Sequence, residues 1–260
     1  MRRASLLPWG HHNTYETESQ YRPRRVHSAT RYSWRMQLIR RAALSGVVVG
    51  VVAVIVLLLA NPFSGTPSPS MGGDFTPVEP TLTPAAGLAT DHGLGAVDAP
   101  VTLTVWTDYQ CPICGTWGNG VEPALYERYI TEGKLRIEHR HYSFIGEESF
   151  LAAVGAECAA DQEKFWAYHS RLFANQAGEN EGAFSSERLR KIAEASGLDL
   201  AAWDACVADP AVRTQVEADA AEATSLGITG TPTLIIGDWM DSGIPAAEDL
   251  YARIDEALGN

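Results

Sequence analysis

The chain has 260 residues, 45% hydrophobic and 20% charged, with four Cys and a formal net charge of −12. This excludes wholesale disorder, collagen-like repeats and disulfide-dense mini-proteins, and four cysteines are enough for a redox pair or a metal site. The charge is split: residues 1–41 carry nine Arg against two Glu, whereas the rest carries eleven basic and thirty acidic residues, and so acidic a body argues against nucleic acid as a partner.

The first element in chain order is AALSGVVVGVVAVIVLLLA, residues 42–60, without a charge. As a helix it would span ~28 Å, close to the hydrocarbon thickness of a bilayer. Arg35, Arg40 and Arg41 stand directly before it, and no Lys or Arg follows until Arg128. The positive-inside rule then predicts a cytoplasmic basic tail at 1–41, a transmembrane helix in the lipid bilayer at 42–60, and the remainder outside the cytoplasm. A cleaved signal peptide fits less well, because the basic front is long and Leu58 spoils an A-x-A site ending at Ala60. Residues 61–90 are rich in Pro, Ser, Thr and Gly and read as an extended linker. The folded domain is therefore expected at 91–260.

Within it, VTLTVWT (101–107) reads as a buried strand. Residues 111–131 look helical, although Gly115, Gly118 and Gly120 are poor helix formers whose turns must be held by packing. KLRIEHRHY (134–142) alternates as a second strand, completing a βαβ unit with a parallel pair. A helical region is expected at about 148–226, with helices at 186–196, 199–208 and 210–226. TLIIG (233–237), a hairpin partner near Trp239 and a last helix at 246–258 complete the order.

The chemistry-bearing motif is Cys111-Pro112-Ile113-Cys114, placed where a strand gives way to a helix. There, unpaired N–H groups and the helix macrodipole stabilise a thiolate, so Cys111 is expected to be the acidic, reactive thiol. Cys114 is expected beneath it, ready to close a disulfide, and Pro112 suits an early helical position. Half of a zinc knuckle is a weaker reading: apart from His139 and His141 on a strand, no second pair has the right spacing. No metal or organic cofactor is implied. Gly230-Thr231-Pro232-Thr233 precedes the apolar strand, and a Pro there is a candidate cis bond whose bend brings Thr231 close to the cysteines and leaves backbone for an extended peptide.

These motifs in this order resemble the membrane-anchored DsbA-like (DsbA/BdbD-type) thiol–disulfide oxidoreductases of the thioredoxin fold. The matching stretches are GAVDAPVTLTVWTDYQCPIC (95–114), GKLRIEHRHY (133–142), AAVGAECAADQEKFWAYHSRLF (152–173) and GITGTPTLIIG (227–237). The resemblance implies an α/β thioredoxin fold, a central mixed β-sheet flanked by helices, with a helical insert and an N-terminal transmembrane helix before it. It implies Cys111 as nucleophile, Cys114 as its partner and Thr231–Pro232 as a substrate-binding loop, with Pro112 and Ile113 beside them. Two positions depart from the family pattern. Ile113 stands where the best-known oxidases have His, and Val105 where many relatives carry an acid. Asp108 either influences thiol titration or, the preferred reading, caps a turn.

Cys158 and Cys206 are either two buried thiols or one structural disulfide; outside the cytoplasm the disulfide is favoured, and some anchored relatives have such a bond. His139 and His141 share a strand face and read as packed or solvated rather than as a metal pair, and His169, Phe165 and Trp166 read as packing residues. The expected function is oxidation of cysteine-containing secreted or membrane proteins, with a quinone-linked membrane re-oxidant of the DsbB or vitamin-K-epoxide-reductase type. The alternatives are a reductase or isomerase of the same fold, or a non-catalytic metal-binding module using Cys111, Cys114 and a His.

Overall fold

A computed structural model describes residues 74–259. The basic tail expected at 1–41, the transmembrane helix at 42–60 and the linker as far as residue 73 lie outside the described residues. Among the described residues, no helix is long and apolar enough to cross a membrane.

The described chain begins with an extended stretch that does more than link. Leu82 is buried, and Phe75 and Leu88 pack against the main core. Both backbone polar groups of Val78 are taken by the Asn175 side-chain amide, at 2.7 and 3.1 Å, and the N–H of Ala85 donates to the Tyr126 hydroxyl at 2.8 Å. A Pro-rich segment has no ladder to join, so side chains of the domain satisfy its backbone instead. A two-residue hairpin follows, β1 (Ala89–Thr90) with β2 (Gly93–Leu94). The domain therefore takes in residues 74–90, which composition alone assigns to the linker.

Next comes β3 (Val101–Thr107), whose Val101, Leu103 and Val105 are buried in the main core. Trp106 belongs to a second small cluster with Ala223 and Ile228. The expected helix at 111–131 is not uniform: α1 (Pro112–Thr116) and α2 (Glu122–Leu125) alternate with wider π-type turns at Trp117–Val121 and Tyr126–Ile130. Tight packing of the first turns explains two glycines. A Cβ on Gly118 would lie 2.3 Å from the Phe173 ring, and one on Gly115 would lie 2.2 Å from the Gln176 side chain.

β4 (Leu135–His141) pairs parallel to β3 along its whole length and antiparallel to β2. The helical insert then runs through α3 (Glu147–Ala160), α4 (Phe165–Ala174), α5 (Ser186–Ala195), α6 (Leu200–Val207) and α7 (Pro210–Ser225). Asp199 caps α6 and Asp209 caps α7 through side-chain bonds to first-turn N–H groups, with Pro210 opening α7. The chain returns as β5 (Thr233–Ile236), antiparallel to β3, then β6 (Trp239–Ser242) and α8 (Ala247–Ala257). The sheet order is β1-β2-β4-β3-β5-β6, so the strand leading into the cysteine motif is central and buried. This is the mixed sheet of the thioredoxin fold, with the insert between its βαβ and ββα halves.

A disulfide joins Cys158 on α3 to Cys206 on α6, closing a loop of 48 residues within the insert. Loop-closure entropy assigns such a cross-link about 4 kcal/mol. Replacing both cysteines by Ala is expected to cost about 2–4 kcal/mol and, at about 2–4 °C per kcal/mol, to lower the thermal midpoint by about 4–16 °C. Calorimetry of the double variant checks this, and an unchanged midpoint would show that the cross-link does not restrain the unfolded chain.

Candidate active site

The site begins where β3 ends. Asp108 is fully buried, and its carboxylate accepts from the Gln110 N–H (2.8 Å), the Ser149 hydroxyl (2.6 Å) and the N–H groups of Phe144 and Ile145 (2.9 and 3.1 Å). Those contacts make it a turn-organising residue that ties the loop before Cys111 to the start of α3. Gln176, which no sequence signal singles out, braces the other side: its side-chain N–H donates to the carbonyls of Tyr109 (2.7 Å) and Cys111 (2.8 Å). The N–H of Cys111 closes a turn onto the Asp108 carbonyl at 3.1 Å.

Cys111 is the N-cap of α1, with extended backbone, and Pro112 is the first helical residue. The antiparallel register of β3 and β5, with Trp106 opposite Thr233, carries the residues entering β5 alongside those leaving β3. The Thr231–Pro232 peptide bond is cis. The result is a contact between residues 120 apart in sequence: the Cys111 thiol donates to the Thr231 carbonyl at 3.3 Å. The fold thus brings Cys111, Cys114, Thr231 and Pro232 together. Cys111 and Cys114 are free thiols, 7% and 0% exposed, whereas Pro112 and Ile113 face solvent, Ile113 being 49% exposed.

The two thiols have opposite acidities. The Cys111 thiol is lowered to about 6, first by a hydrogen bond from the Cys114 thiol, against the opposing effect of burial, then by Thr231 and by the N–H groups of Cys114 and Ile113. The Thr231 hydroxyl is buried with no other hydrogen-bond partner, so it is free to turn toward the sulfur once Cys111 has lost its proton. Cys114 is pushed well above its ordinary value by burial and by its bond to Cys111. Sequence reasoning gave the helix terminus the leading part; here the neighbouring thiol leads, and the helix N–H groups come after Thr231.

Beneath the loop lies a buried polar cluster that the motifs do not announce. Glu122 accepts from the Trp117 indole N–H and contacts a ring nitrogen of His169, both at 3.3 Å, and the other nitrogen of His169 pairs with the Tyr109 hydroxyl at 2.9 Å. His139 pairs with Thr107 at 2.8 Å and is held well below its ordinary pKa, chiefly by burial and then by His169. His139 and His141 are each 1% exposed, so this strand face is packed, and Phe165, Trp166 and His169 are buried with it. Val105 is buried, paired between His139 and Leu234.

The thioredoxin family profile (Thioredoxin_4) matches residues 88–256. The probable disulfide bond formation protein D of Bacillus anthracis is 28% identical over 174 residues, covering 65% of this chain and 79% of that protein. Among solved structures, oxidised BdbD from Bacillus subtilis is similar in fold, with a TM-score of 0.61 at 23% identity over 72% of this chain and 100% of that one. A thioredoxin-like oxidoreductase from Silicibacter pomeroyi has a TM-score of 0.56 at 27% identity over 65% and 92%.

The rate of Cys111 alkylation by iodoacetamide is expected to rise to half its maximum near pH 6, because only the thiolate reacts. Since the folded value is depressed, the stability this group lends the dithiol form is present above the unfolded thiol's pKa and is lost as pH falls through about 6. Cys114→Ala should move the midpoint upward by more than Thr231→Val does, following the order of their hydrogen bonds. A midpoint near 8.5, the value of a free thiol, would remove the basis for this assignment.

Proposed function

The chain belongs to the thioredoxin family, and from that membership and the geometry around Cys111 we propose that it is a protein thiol:disulfide oxidoreductase that introduces disulfides into cysteine-containing secreted or membrane proteins. The observation that carries this reading is an acidified Cys111 thiol 3.3 Å from the Thr231 carbonyl at the cis Thr231–Pro232 bond. The name of the Bacillus anthracis relative, a probable disulfide bond formation protein, points the same way.

In the oxidised enzyme, a client thiolate attacks the Cys111 sulfur of the Cys111–Cys114 disulfide. A mixed disulfide forms, and Cys114 leaves and takes a proton, as its raised pKa favours. A second client thiolate attacks the client sulfur, closing the client disulfide and expelling Cys111 as a thiolate. Two client thiols have then given up two electrons and two protons, and the enzyme pair holds the electrons. The Pro232 carbonyl is already occupied by the Gly243 N–H at 2.7 Å, which leaves the Thr231 backbone to meet an extended client strand. Pro112 and Ile113 form the exposed rim against which the client rests.

Turnover needs a re-oxidant, for which a quinone-linked membrane protein of the DsbB or vitamin-K-epoxide-reductase type is the chemical match. A transmembrane helix at 42–60, preceded by a cytoplasmic tail at 1–41, would hold the catalytic domain outside the cytoplasm and in the plane of that partner.

Refolding of reduced ribonuclease in glutathione buffers, together with the equilibrium potential of the Cys111–Cys114 pair, tests the reading. The expected potential is well above the roughly −270 mV of thioredoxin; a value at or below it would make the protein a reductase. Cys111→Ala should abolish ribonuclease oxidation, whereas Cys114→Ala should accumulate mixed disulfides visible on non-reducing gels. Full turnover by Cys111→Ala would mean that another group is the nucleophile.

A further inference from the structure

On the oxidoreductase reading, we propose that Gln176 is a positioning residue for thiol–disulfide exchange at Cys111, and that the extended strap before β1 holds Gln176 in place through Asn175, so that strap and active-site loop are braced against each other. Two adjacent residues at the end of α4 make the connection. Asn175 is buried, and its side chain takes both the N–H and the carbonyl of Val78 in the strap, at 2.7 and 3.1 Å. Gln176 faces the cysteine loop, where its side-chain nitrogen donates to the carbonyls of Tyr109 and Cys111, at 2.7 and 2.8 Å. No residue intervenes between the two grips. A displacement of the strap at Val78 therefore reaches the Cys111 carbonyl through two side-chain amides and the one peptide unit that joins them.

Both ends of this connection are anchored. On the strap side, Arg171 pairs with Glu79 at 2.8 Å, and Asn175 also donates to the Arg171 carbonyl at 2.7 Å. Pro77 and Pro80 flank the grip and stiffen the strap on either side of it. On the loop side, the Asn119 side chain donates to the carbonyls of Gly115 and Phe173, both at 2.9 Å, tying α1 to α4. The Gln176 amide lies close against Gly115, where a Cβ would stand 2.2 Å from its Oε1.

The Cys111 carbonyl already accepts the Gly115 N–H at 3.0 Å as the first bond of α1. A second bond, from Gln176, fixes the plane of the peptide between Cys111 and Pro112, and with it the direction in which the sulfur leaves the backbone. That direction sets the distance from the sulfur to the Cys114 thiol and to the Thr231 carbonyl, the latter 3.3 Å. Thr231, whose backbone meets the client, is placed by β5, whereas the backbone of Cys111 is placed from α4. Attack on a disulfide sulfur needs the reacting atoms aligned. Gln176 thus sets the register between client and sulfur without touching either.

The test compares the full chain with Gln176→Ala, Gly115→Ala and Asn175→Ala, reading the pH midpoint of Cys111 alkylation and the turnover of reduced ribonuclease. Gln176→Ala is expected to move the midpoint upward from the parent's value near 6. It should also lower kcat on the order of tenfold with little change in KM. Gly115→Ala, which pushes the Gln176 amide aside, should do the same; a role confined to stability predicts no loss there, since Ala favours a helix. Asn175→Ala should move both readouts in the same direction by less. If Gln176→Ala fails to fold, Gly115→Ala carries the test. A midpoint and kcat unchanged in Gly115→Ala or in a folded Gln176→Ala would overturn the positioning role, as would a raised KM at unchanged kcat, which would make Gln176 part of the client surface. Unchanged readouts in Asn175→Ala would overturn the coupling to the strap. A parent midpoint near about 8.5, or a parent inert toward ribonuclease, would instead defeat the oxidoreductase reading and this proposal with it.

Discussion

A negative charge on sulfur, held where water barely reaches, needs hydrogen-bond donors on every open side, and the architecture around Cys111 follows from that need. The Cys114 thiol donates from within the same helical turn, the N–H groups of Ile113 and Cys114 come from the start of α1, and the Thr231 hydroxyl is the donor from the far end of the chain, on the residue whose carbonyl accepts from the Cys111 thiol. The first two sources are local and cost only the formation of a helix turn. The third requires β5 to lie antiparallel beside β3, so the long insert must leave the sheet after β4 and return on the opposite side of β3. The sheet order is therefore part of the thiol chemistry. Without it, Cys111 would have no contact with Thr231.

How much of this can be read in the residues depends on the range of the interaction. The strand at 101–107, the parallel partner at 134–142, the insert helices and the closing hairpin all follow from local periodicity, caps and breakers, and Cys111-Pro112-Ile113-Cys114 with Thr231-Pro232 follows from position within that order. The described structure bears out the fold. What was not legible depends on side chains that satisfy distant backbone. Gln176 sits in a loop of ordinary polar composition, yet it clamps the carbonyls of Tyr109 and Cys111. Asn175 holds Val78, turning part of an apparent linker into domain surface. Hydrophobic patterning carries no trace of such bonds, because a Pro-rich segment looks the same whether it is free or fastened. At the π-type turn the close approach of Phe173 to Gly118 is likewise a tertiary contact that local sequence does not announce.

The residue departures are informative once the surroundings are known. Ile113 supplies no side-chain donor and points outward, so nothing on that flank substitutes for the imidazole that the family pattern would place there. Val105 fills a fully packed position on β3, and the buried acid nearest the loop in sequence beyond the cysteines is instead Glu122, engaged with Trp117 and His169. Neither the rim nor the strand supplies a charged side chain at these two positions, and the thiol–thiol contact is the first of the effects that acidify Cys111.

That dependence bears on the direction of the reaction. In the dithiol form, Cys111 is acidified mainly by the Cys114 thiol, and Cys114 is made less acidic by burial and by the same bond. The pair shares one proton: the charge on one sulfur and the proton on the other stabilise each other. In the disulfide form there is neither charge nor proton, and the whole of that stabilisation disappears. An interaction present only in the reduced state shifts the equilibrium toward reduction of the enzyme, which is to say toward oxidation of whatever it meets. The Thr231 hydroxyl adds to the same side, since it gains a partner only when Cys111 is a thiolate. A site lacking the rim histidine can therefore still be oxidising, provided the second thiol is buried deeply enough to keep its proton, and full burial of Cys114 under the turn supplies that condition.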